Sequence, residues 1–573
     1  MRIPWGRCFF CICVTENQSE LLCSVYQRRI RVKKGKKIRR TAGILLLVLI
    51  LAGMYYYVVL PPINIHASGF WIFVMAVLAA LLLLSTAKAA RTGASIHLRD
   101  VTYSIKTKKS VKLIFALLIL TAAAYLVGSV LSSPIVNAKK YQKLLEPETG
   151  NFAEDIKQVN YNQIPLLDKD SAELLGNRKM GSMVDMVSQF EVSPLYSQIN
   201  YKGRPVRVTP LVYASAVKWF TNQKSGIPAY ISIDMATQNT ELVKVPEGIR
   251  YSESEYLNRN IYRHLRFHYP TYMFDQLSFE IDEEGTPYWI CPVKEFTIGL
   301  FGGQTIGKVV LCNAVTGECQ SMDVEDCPSW VDRVYPADLL IQLYDYHGTL
   351  KNGYINSILG QKGCLETTAG YNYLAQDDDV WVYTGVTSVS GDRSNVGFVL
   401  MNQRTKETRY YEVAGAEEFS AMDSAEGQVQ NLGYQATFPL LLNISGEPTY
   451  FIALKDNAGL VKKYAMVNIQ KYQNVAIGDS VSACEKAYVK LLRSSGNASA
   501  AAGEASEASG IIKRIVQGVV DGNTHFYVML ENSDLIFDVP LADFMEIVKY
   551  AEGDKVSFSY EESDPVCIVL GLK

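Results

Sequence analysis

Three stretches of unbroken apolar residues stand near the start of the chain. They are about 41–60 (TAGILLLVLILAGMYYYVVL), 69–87 (GFWIFVMAVLAALLLLSTA) and 113–133 (LIFALLILTAAAYLVGSVLSS), and none holds a charged side chain. A helix needs roughly 20 apolar residues to cross hydrocarbon. A signal peptide offers one short apolar run behind a basic region, not three. The pattern therefore predicts three N-terminal transmembrane helices in a membrane domain over 41–136, and a membrane protein with the lipid bilayer as its first partner.

Beyond about 137 the pattern changes. A connecting segment (137–189) leads to short runs rich in Val, Ile, Tyr and Phe, broken by turn residues such as Thr316-Gly317 and Asp456-Asn457. Such runs predict antiparallel strands. Single helices are expected at about 252–266, 416–431 and 478–493, the last with Ser480 as a cap. The mixture predicts α+β domains in which a sheet is covered by a helix.

Two parts of this region look alike. SFEIDEEGTPYWICPVKEFTIGLFGGQTIGKVVLCNAVTG (278–317) parallels LLNISGEPTYFIALKDNAGLVKKYAMVNIQK (441–471), matching Tyr288-Trp289-Ile290 to Tyr450-Phe451-Ile452 and Asn313 to Asn468. YISIDMATQNTELVKV (230–245) parallels FVLMNQRTKETRYYEV (398–413), pairing Asp234 with Asn402 and Thr237 with Thr405. A steady offset of about 160 residues indicates tandem domains rather than a solenoid. Unit one is placed at 190–345 and unit two at 355–493. The hairpin YWICPV followed by VVLCNAVTGE, ending on a TG turn, resembles PepSY-like modules. That resemblance implies small extracytoplasmic units that bind or restrain partners, and it supplies no catalytic residues. The second copy departs from it, with Lys471-Tyr472 where the TG turn would stand.

Residues 494–510 (SSGNASAAAGEASEASG) lack apolar periodicity and predict a flexible linker. From 511 to 573, strands near 511–519, 524–531, 534–538, 555–561 and 566–571, with a short helix at 541–549, predict a small β-barrel, OB-like or SH3-like. Some such barrels stack bases on aromatic rings in basic grooves. This one is acidic, so Phe526 and Tyr527 are assigned to its core and no nucleic-acid partner is expected.

Charge sets the orientation. The net charge of −2 hides a split: residues 1–112 hold 18 Lys and Arg against 3 acids, while the remainder carries −17. Lys and Arg gather on the cytoplasmic side of a membrane. RRIRVKKGKKIRR (28–40) places a basic tail, 1–40, inside. PPINIHAS, without Lys or Arg, falls outside, and the loop with Lys88, Arg91, Arg99, Lys106, Lys108, Lys109 and Lys112 falls inside. Everything after about 137 is then extracytoplasmic, in a multi-pass plasma-membrane protein. Tyr55, Tyr56, Tyr57 and Trp71 suit the outer interface. Ala124 and Gly128 form a small-xxx-small pair for close helix approach.

The search for chemistry yields no catalytic, cofactor or metal residues. The N-terminal Cys8, Cys11, Cys13 and Cys23 lack the second CxxC of a zinc site. His264 and His268 share a helix face, but HLRFH lacks the Glu of a zinc-protease motif. GLFGGQTIG (299–307) lies between strands and reads as a hairpin loop rather than a phosphate loop, which would open a helix. Asp377-Asp378-Asp379 lacks calcium-loop spacing and reads as a solvated turn. Seven cysteines lie beyond the helices, among them Cys312 and Cys319 flanking the TG turn. An oxidising exterior permits a disulfide between those two. The expectation is a non-enzymatic envelope protein whose duplicated domains bind a protein, peptide or wall component. A membrane-bound hydrolase with an unfamiliar site, or an accessory subunit of a transport or secretion complex, stands behind it.

Overall fold

A computed structural model of the protein describes residue 43 and residues 46–90, 109–156, 164–165, 167–376, 378–388, 394–494, 506–520, 523–541, 544–561 and 566–572. The basic tail, most of the second loop and the N-terminal cysteines lie outside the described residues.

Two helices are long and apolar enough to cross a membrane: α2 (Ser68–Ala90) and α3 (Lys109–Ser132). Their apolar side chains are largely exposed, Leu83 by 70 % and Leu126 by 63 %. The first apolar run is helical over its described stretch, α1 (Leu46–Val59). A third full-length span over 41–60 is therefore not seen among the described residues. Its outer end is set by chemistry: Leu60 adopts φ +55°, and Pro61 and Pro62 cannot continue a helix. A half-turn beyond α3, Pro134 opens α4 (Pro134–Gln142) at the first helical position, where its missing N–H costs nothing.

Four larger sheets follow, antiparallel apart from one two-residue addition, and Ser394–Asn395 pairs separately with Gly415–Ala416. The first orders Phe190–Val192, Arg204–Tyr213, Ile227–Asp234 and Thr240–Ile249, with Ser197–Tyr201 also on Arg204–Tyr213. The second orders Ser278–Ile281, Pro287–Ile298, Gly302–Asn313 and Cys319–Asp323. The third contains Leu365–Thr367, Asn372–Gln376, Asp379–Ser388, Gly397–Asn402 and Thr408–Tyr411. The fourth contains Gln435–Ala436, Leu440–Ile444, Glu447–Lys455, Val461–Asn468 and Val475–Gly478.

Burying the apolar face of each sheet stacks them in series. Tyr230, Ile231, Phe279 and Trp289 form a core between the first and second sheets, closed by Ile261 and Leu265 of α6 (Ile261–His268). The other face of the second sheet offers Ile290, Val309 and Leu311 to Leu340 and Leu343 of α7 (Ala337–Thr349), and the same core takes Val382, Val399 and Met401 of the third sheet. The third and fourth sheets share a core with Ala421 and Ala425 of α8 (Glu418–Gln428) and with Cys484, Tyr488 and Leu492 of α9 (Val481–Ser494). Ser480 caps α9 as expected, its Oγ accepting from Ala483 N at 3.1 Å.

The two halves pass through the same succession of elements. Each runs a hairpin sheet, a helix (α6 or α8), a second hairpin sheet and a closing helix (α7 or α9). The register refines the sequence match. Tyr288 lies opposite Asn313, whereas the residue opposite Asn468 is Thr449, so Trp289 and not Tyr288 corresponds to Tyr450. The side chains agree: Trp289 Nε1 donates to Tyr251 O, Tyr450 OH donates to Ala416 O, and both rings are fully buried. A one-residue slip in a strand exchanges its faces, and burial decides between the two registers.

The segment 137–189 does more than connect. Glu148–Thr149 pairs in parallel with Arg409–Tyr410, and Phe152, Ile156 and Ile164 enter the core of the third and fourth sheets. The chain then reaches α5 (Lys169–Gly181), whose Ala172 and Met180 lie in the first core. The linker expectation also changes. Ser506–Val520 is one strand, and Ser506–Gly510 pairs with 556–560, because backbone pairing does not need the apolar side chains that segment lacks. The remainder of 494–510, from 495 to 505, lies outside the described residues. In the tail, Ser506–Val520, Asn523–Leu530, Ile536–Pro540, Cys567–Leu572 and Lys555–Glu561 pair in that cyclic order. Phe526 packs on the tail's core, but Tyr527 sits on the opposite face beside His525, so its assignment to the core does not hold.

Candidate functional site

Three hairpins in the two halves end on one kind of turn, and a fourth on a longer variant of it. Asp234, Asn313 and Asn402 each accept two backbone N–H groups through Oδ1, from residues two and three positions on. Thr237, Thr316 and Thr405 then accept the N–H of the residue two further on. Gln238, Gly317 and Lys406 follow with positive φ. This is the Asx and Ser/Thr turn chemistry that lets a short polar side chain replace a backbone partner. The fourth turn, at Asn468, is one residue longer and accepts from Lys471 N.

In all four, the Asp or Asn N–H donates across the ladder, to Asn239 O, Glu318 O, Glu407 O and Asn474 O. The next pair inward then falls at a non-hydrogen-bonded site, where facing side chains approach most closely. Those pairs are Ile233–Thr240, Met401–Thr408, Val467–Val475 and Cys312–Cys319. One of the four is a pair of thiols.

The two sulfurs lie 2.8 Å apart. Helix α6 places His264 over them, its Nε2 2.7 Å from Gly317 O, and His268 one turn on brings its ring to 4.2 Å from that of His264. The donor atoms of His264, Cys312 and Cys319 lie within 4.8 Å of one another. Cys312 is fully buried and Cys319 half-buried on the edge strand. The two thiols sit in unequal surroundings. The bond from Cys312, and then the neighbouring His264, draw Cys319 down to about 6 against the cost of burial, while the same bond pushes Cys312 up. Burial works against charge on His264, yet Cys319 and the Gly317 carbonyl raise it. A lowered thiol beside a cation is the reactive form of cysteine. The expected shared face of His264 and His268 is present. What the sequence did not join is this face to Cys312 and Cys319, about fifty residues away.

A second polar cluster joins the halves. Glu280 is fully buried and accepts from Asp332 N, Arg333 N and Ser278 Oγ. Asp332 accepts from Asn200 N at 2.7 Å. Burial, together with the neighbouring Glu280 charge, raises Asp332, and burial raises Glu280 despite its three donors. Asp379 nearby makes a two-pronged pair with Arg404 at 2.6 and 2.8 Å and is 7 % exposed, so the expected solvated turn at 377–379 is in part a buried ion pair. Each half also carries a buried carboxylate just before or at its central helix. Glu255 accepts from Tyr213 OH and Trp219 Nε1, and Glu418 from Gly385 N and Thr368 Oγ1.

Unit one rests on the ends of the apolar helices. Arg266 Nε donates to Leu60 O, Arg263 stacks on Tyr57 at 4.4 Å, and Ile63 N donates to Pro270 O. The GLFGGQTIG loop is a hairpin tip, as expected, and it docks on α3: Leu300 N and Phe301 N donate to Ser132 Oγ, and Phe301 packs on Trp71 and Tyr125. Gly128 faces Leu300 and Phe301, and a Cβ there would sit 2.9 Å from Leu300 Cδ1, so its smallness serves this hairpin. Above α1, a cleft of about 390 Å³ is lined by Tyr213, Ser215, Ala216, Glu253, Ser254, Glu255, Tyr256, Asn260 and Arg263.

No known protein family matches the chain and no curated relative was found. Among solved structures, a monoclinic crystal form of an ACO/RPE65 chimera is similar over 66 % of this chain and 64 % of that one, at 9 % identity and a TM-score of 0.13. Likeness at that level establishes no shared fold.

Proposed function

We propose that the chain is a membrane-anchored envelope protein whose paired α+β units are held on the outer face of the bilayer to bind a protein, peptide or wall component. The observation that carries this is the docking of unit one on the ends of α1 and α3 through Arg263, Arg266 and the 299–303 hairpin tip. A domain fixed to its anchors at several points is built to present a surface at a set height. The basic tail and the basic loop before α3 support an N-terminus inside and both units outside, with the first apolar run completing a third crossing. Exposed Leu257 and Phe267 stand beside Arg263 and Tyr57, where a lipid interface would cover them.

The matched succession of elements and the shared turns support an origin by internal duplication, with units at 190–345 and 355–493. The turn threonines keep the PepSY-like reading open for both halves. For the tail, the cyclic order first–second–third–fifth–fourth strand, with the third and fifth parallel, supports an OB-like barrel. The cleft above α1, with Glu253, Glu255 and Arg263 in its wall, is the recess assigned to the partner. A hydrolase reading gains nothing from Glu280 and Asp332, which are 0 % and 1 % exposed and meet no substrate.

The test is isolation of the full chain in mild detergent after crosslinking in cells. A specific partner is expected, lost when Ala216→Trp fills the cleft. Equal recovery from the filled variant contradicts the assignment of the cleft, and no enriched partner contradicts the binding role.

A further inference from the structure

We propose that Cys312 and Cys319 form a reversible dithiol–disulfide centre that exchanges with an external disulfide, Cys319 being the attacking sulfur and His264 the group that holds its thiolate. The inference stands apart from the topology, because the exchange is measured on detergent-solubilised protein.

Three observations converge. Cys312 and Cys319 face one another at the non-hydrogen-bonded position with sulfurs 2.8 Å apart. Two thiolates on one tetrahedral zinc, each at about 2.3 Å, stand roughly 3.8 Å apart, so this spacing suits a sulfur–sulfur bond better than a shared metal. The pair is also asymmetric. Cys319 is half-buried on an edge strand, whereas Cys312 is fully buried behind it. An exchange centre needs that arrangement, with an accessible attacker and a sheltered resolving thiol. Finally, the turn does not need the bond. Ile233–Thr240, Met401–Thr408 and Val467–Val475 hold the corresponding place without cysteine.

The chemistry balances without another reactant. The Cys319 thiolate attacks one sulfur of a disulfide R–S–S–R′, a Cys319–S–S–R bond forms, and R′S⁻ leaves and takes a proton. Cys312 loses its proton and attacks Cys319 Sγ, the mixed disulfide breaks, and RS⁻ leaves and is protonated. Counting the proton that Cys319 released on becoming a thiolate, the protein gives up two electrons and two protons, and the partner disulfide becomes two thiols. Cys291, fully buried on the same face with its thiol raised by burial, takes no part.

The experiment equilibrates the full chain in detergent with buffers of reduced and oxidised glutathione and counts free thiols by alkylation and mass. One two-electron couple is expected within the buffer range. Cys312→Ser should trap glutathione on Cys319, and Cys319→Ser should trap none. His264→Asn should slow alkylation of Cys319 near neutrality by about tenfold and move its pH midpoint upward. Should the serine variants fold poorly, Cys312→Val with Cys319→Val, copying Val467–Val475, should keep the fold and abolish the couple. A pair that stays oxidised or stays reduced across all buffers overturns the proposal, as does one zinc ion bound per chain and lost with Cys319→Ser.

Discussion

Units one and two use one succession of strands and helices to different ends. In unit one, α6 is short. It spends Arg263 and Arg266 on the carbonyls and ring at the end of α1, and His264 on the thiol pair. In unit two the corresponding α8 turns Ala421 and Ala425 into the core that also holds Cys484, Tyr488 and Leu492 of α9. At the matching turn, unit two has Val467–Val475 where unit one has Cys312–Cys319. The scaffold is held by what the two units share: buried Trp289 or Tyr450, buried Glu255 or Glu418, and the Asx turns. Anchoring and thiol chemistry sit on what they do not share.

That division can be broken by mutation. The largest effects should come from the shared core. Trp289→Ala and Tyr450→Ala each remove a fully buried ring and should cost about 3–5 kcal/mol. Hydrogen exchange should show the loss in the unit that carries the change. A cost several kcal/mol smaller at one position would mean that the two rings do not hold equivalent places.

Arg266→Ala should come next. It leaves Leu60 O and Tyr272 O without their donor and should cost roughly 2–3 kcal/mol. Faster exchange is expected across 261–274 with no change in α8. Slower or unchanged exchange in α6 would show that the arginine does not hold unit one in place.

Protonation supplies a third test. Glu280 and Asp332 bind protons more tightly folded than unfolded, because burial raises both. Their contribution to stability is fully present below the ordinary carboxylate range and is lost as pH climbs through the raised folded values. Glu280→Gln should therefore flatten the decline on the alkaline side, adding about 1–3 kcal/mol at pH 9 in a urea titration. The smallest effects belong to the turns. Thr237→Ala, Thr316→Ala and Thr405→Ala each remove one acceptor from a backbone N–H and should cost about 0.5–1.5 kcal/mol apiece, alike in both units.

Much of the fold was legible because it rests on local pattern. Apolar runs gave α2 and α3, and Ser480 announced the start of α9. Matching Asp234 to Asn402 located turns that proved chemically alike, and matching Asn313 to Asn468 located an Asx turn and a longer variant of it. What stayed hidden depends on contacts between distant residues. Tyr288 and Tyr450 looked equivalent until ladder register moved the match to Trp289. Glu148–Thr149 gave no strand signal, because a two-residue parallel addition is chosen by its partner at 409–410. Asp379 read as solvated until Arg404, across the hairpin, enclosed it. The candidate site failed for the same reason. His264–His268 and Cys312–Cys319 each carry a local signal, and only the packing of α6 on the second sheet makes them one cluster.

The proposed placement of both units outside the membrane is tested most directly by labelling intact cells with a membrane-impermeant maleimide. The chain would lack Cys8, Cys11, Cys13 and Cys23, carry Cys312→Val with Cys319→Val, and have one new cysteine, at Lys36 or at exposed Tyr472. Modification at position 472 in intact cells, with position 36 modified only after lysis, is the expected result. Labelling at 36 but not at 472 before lysis would contradict the account.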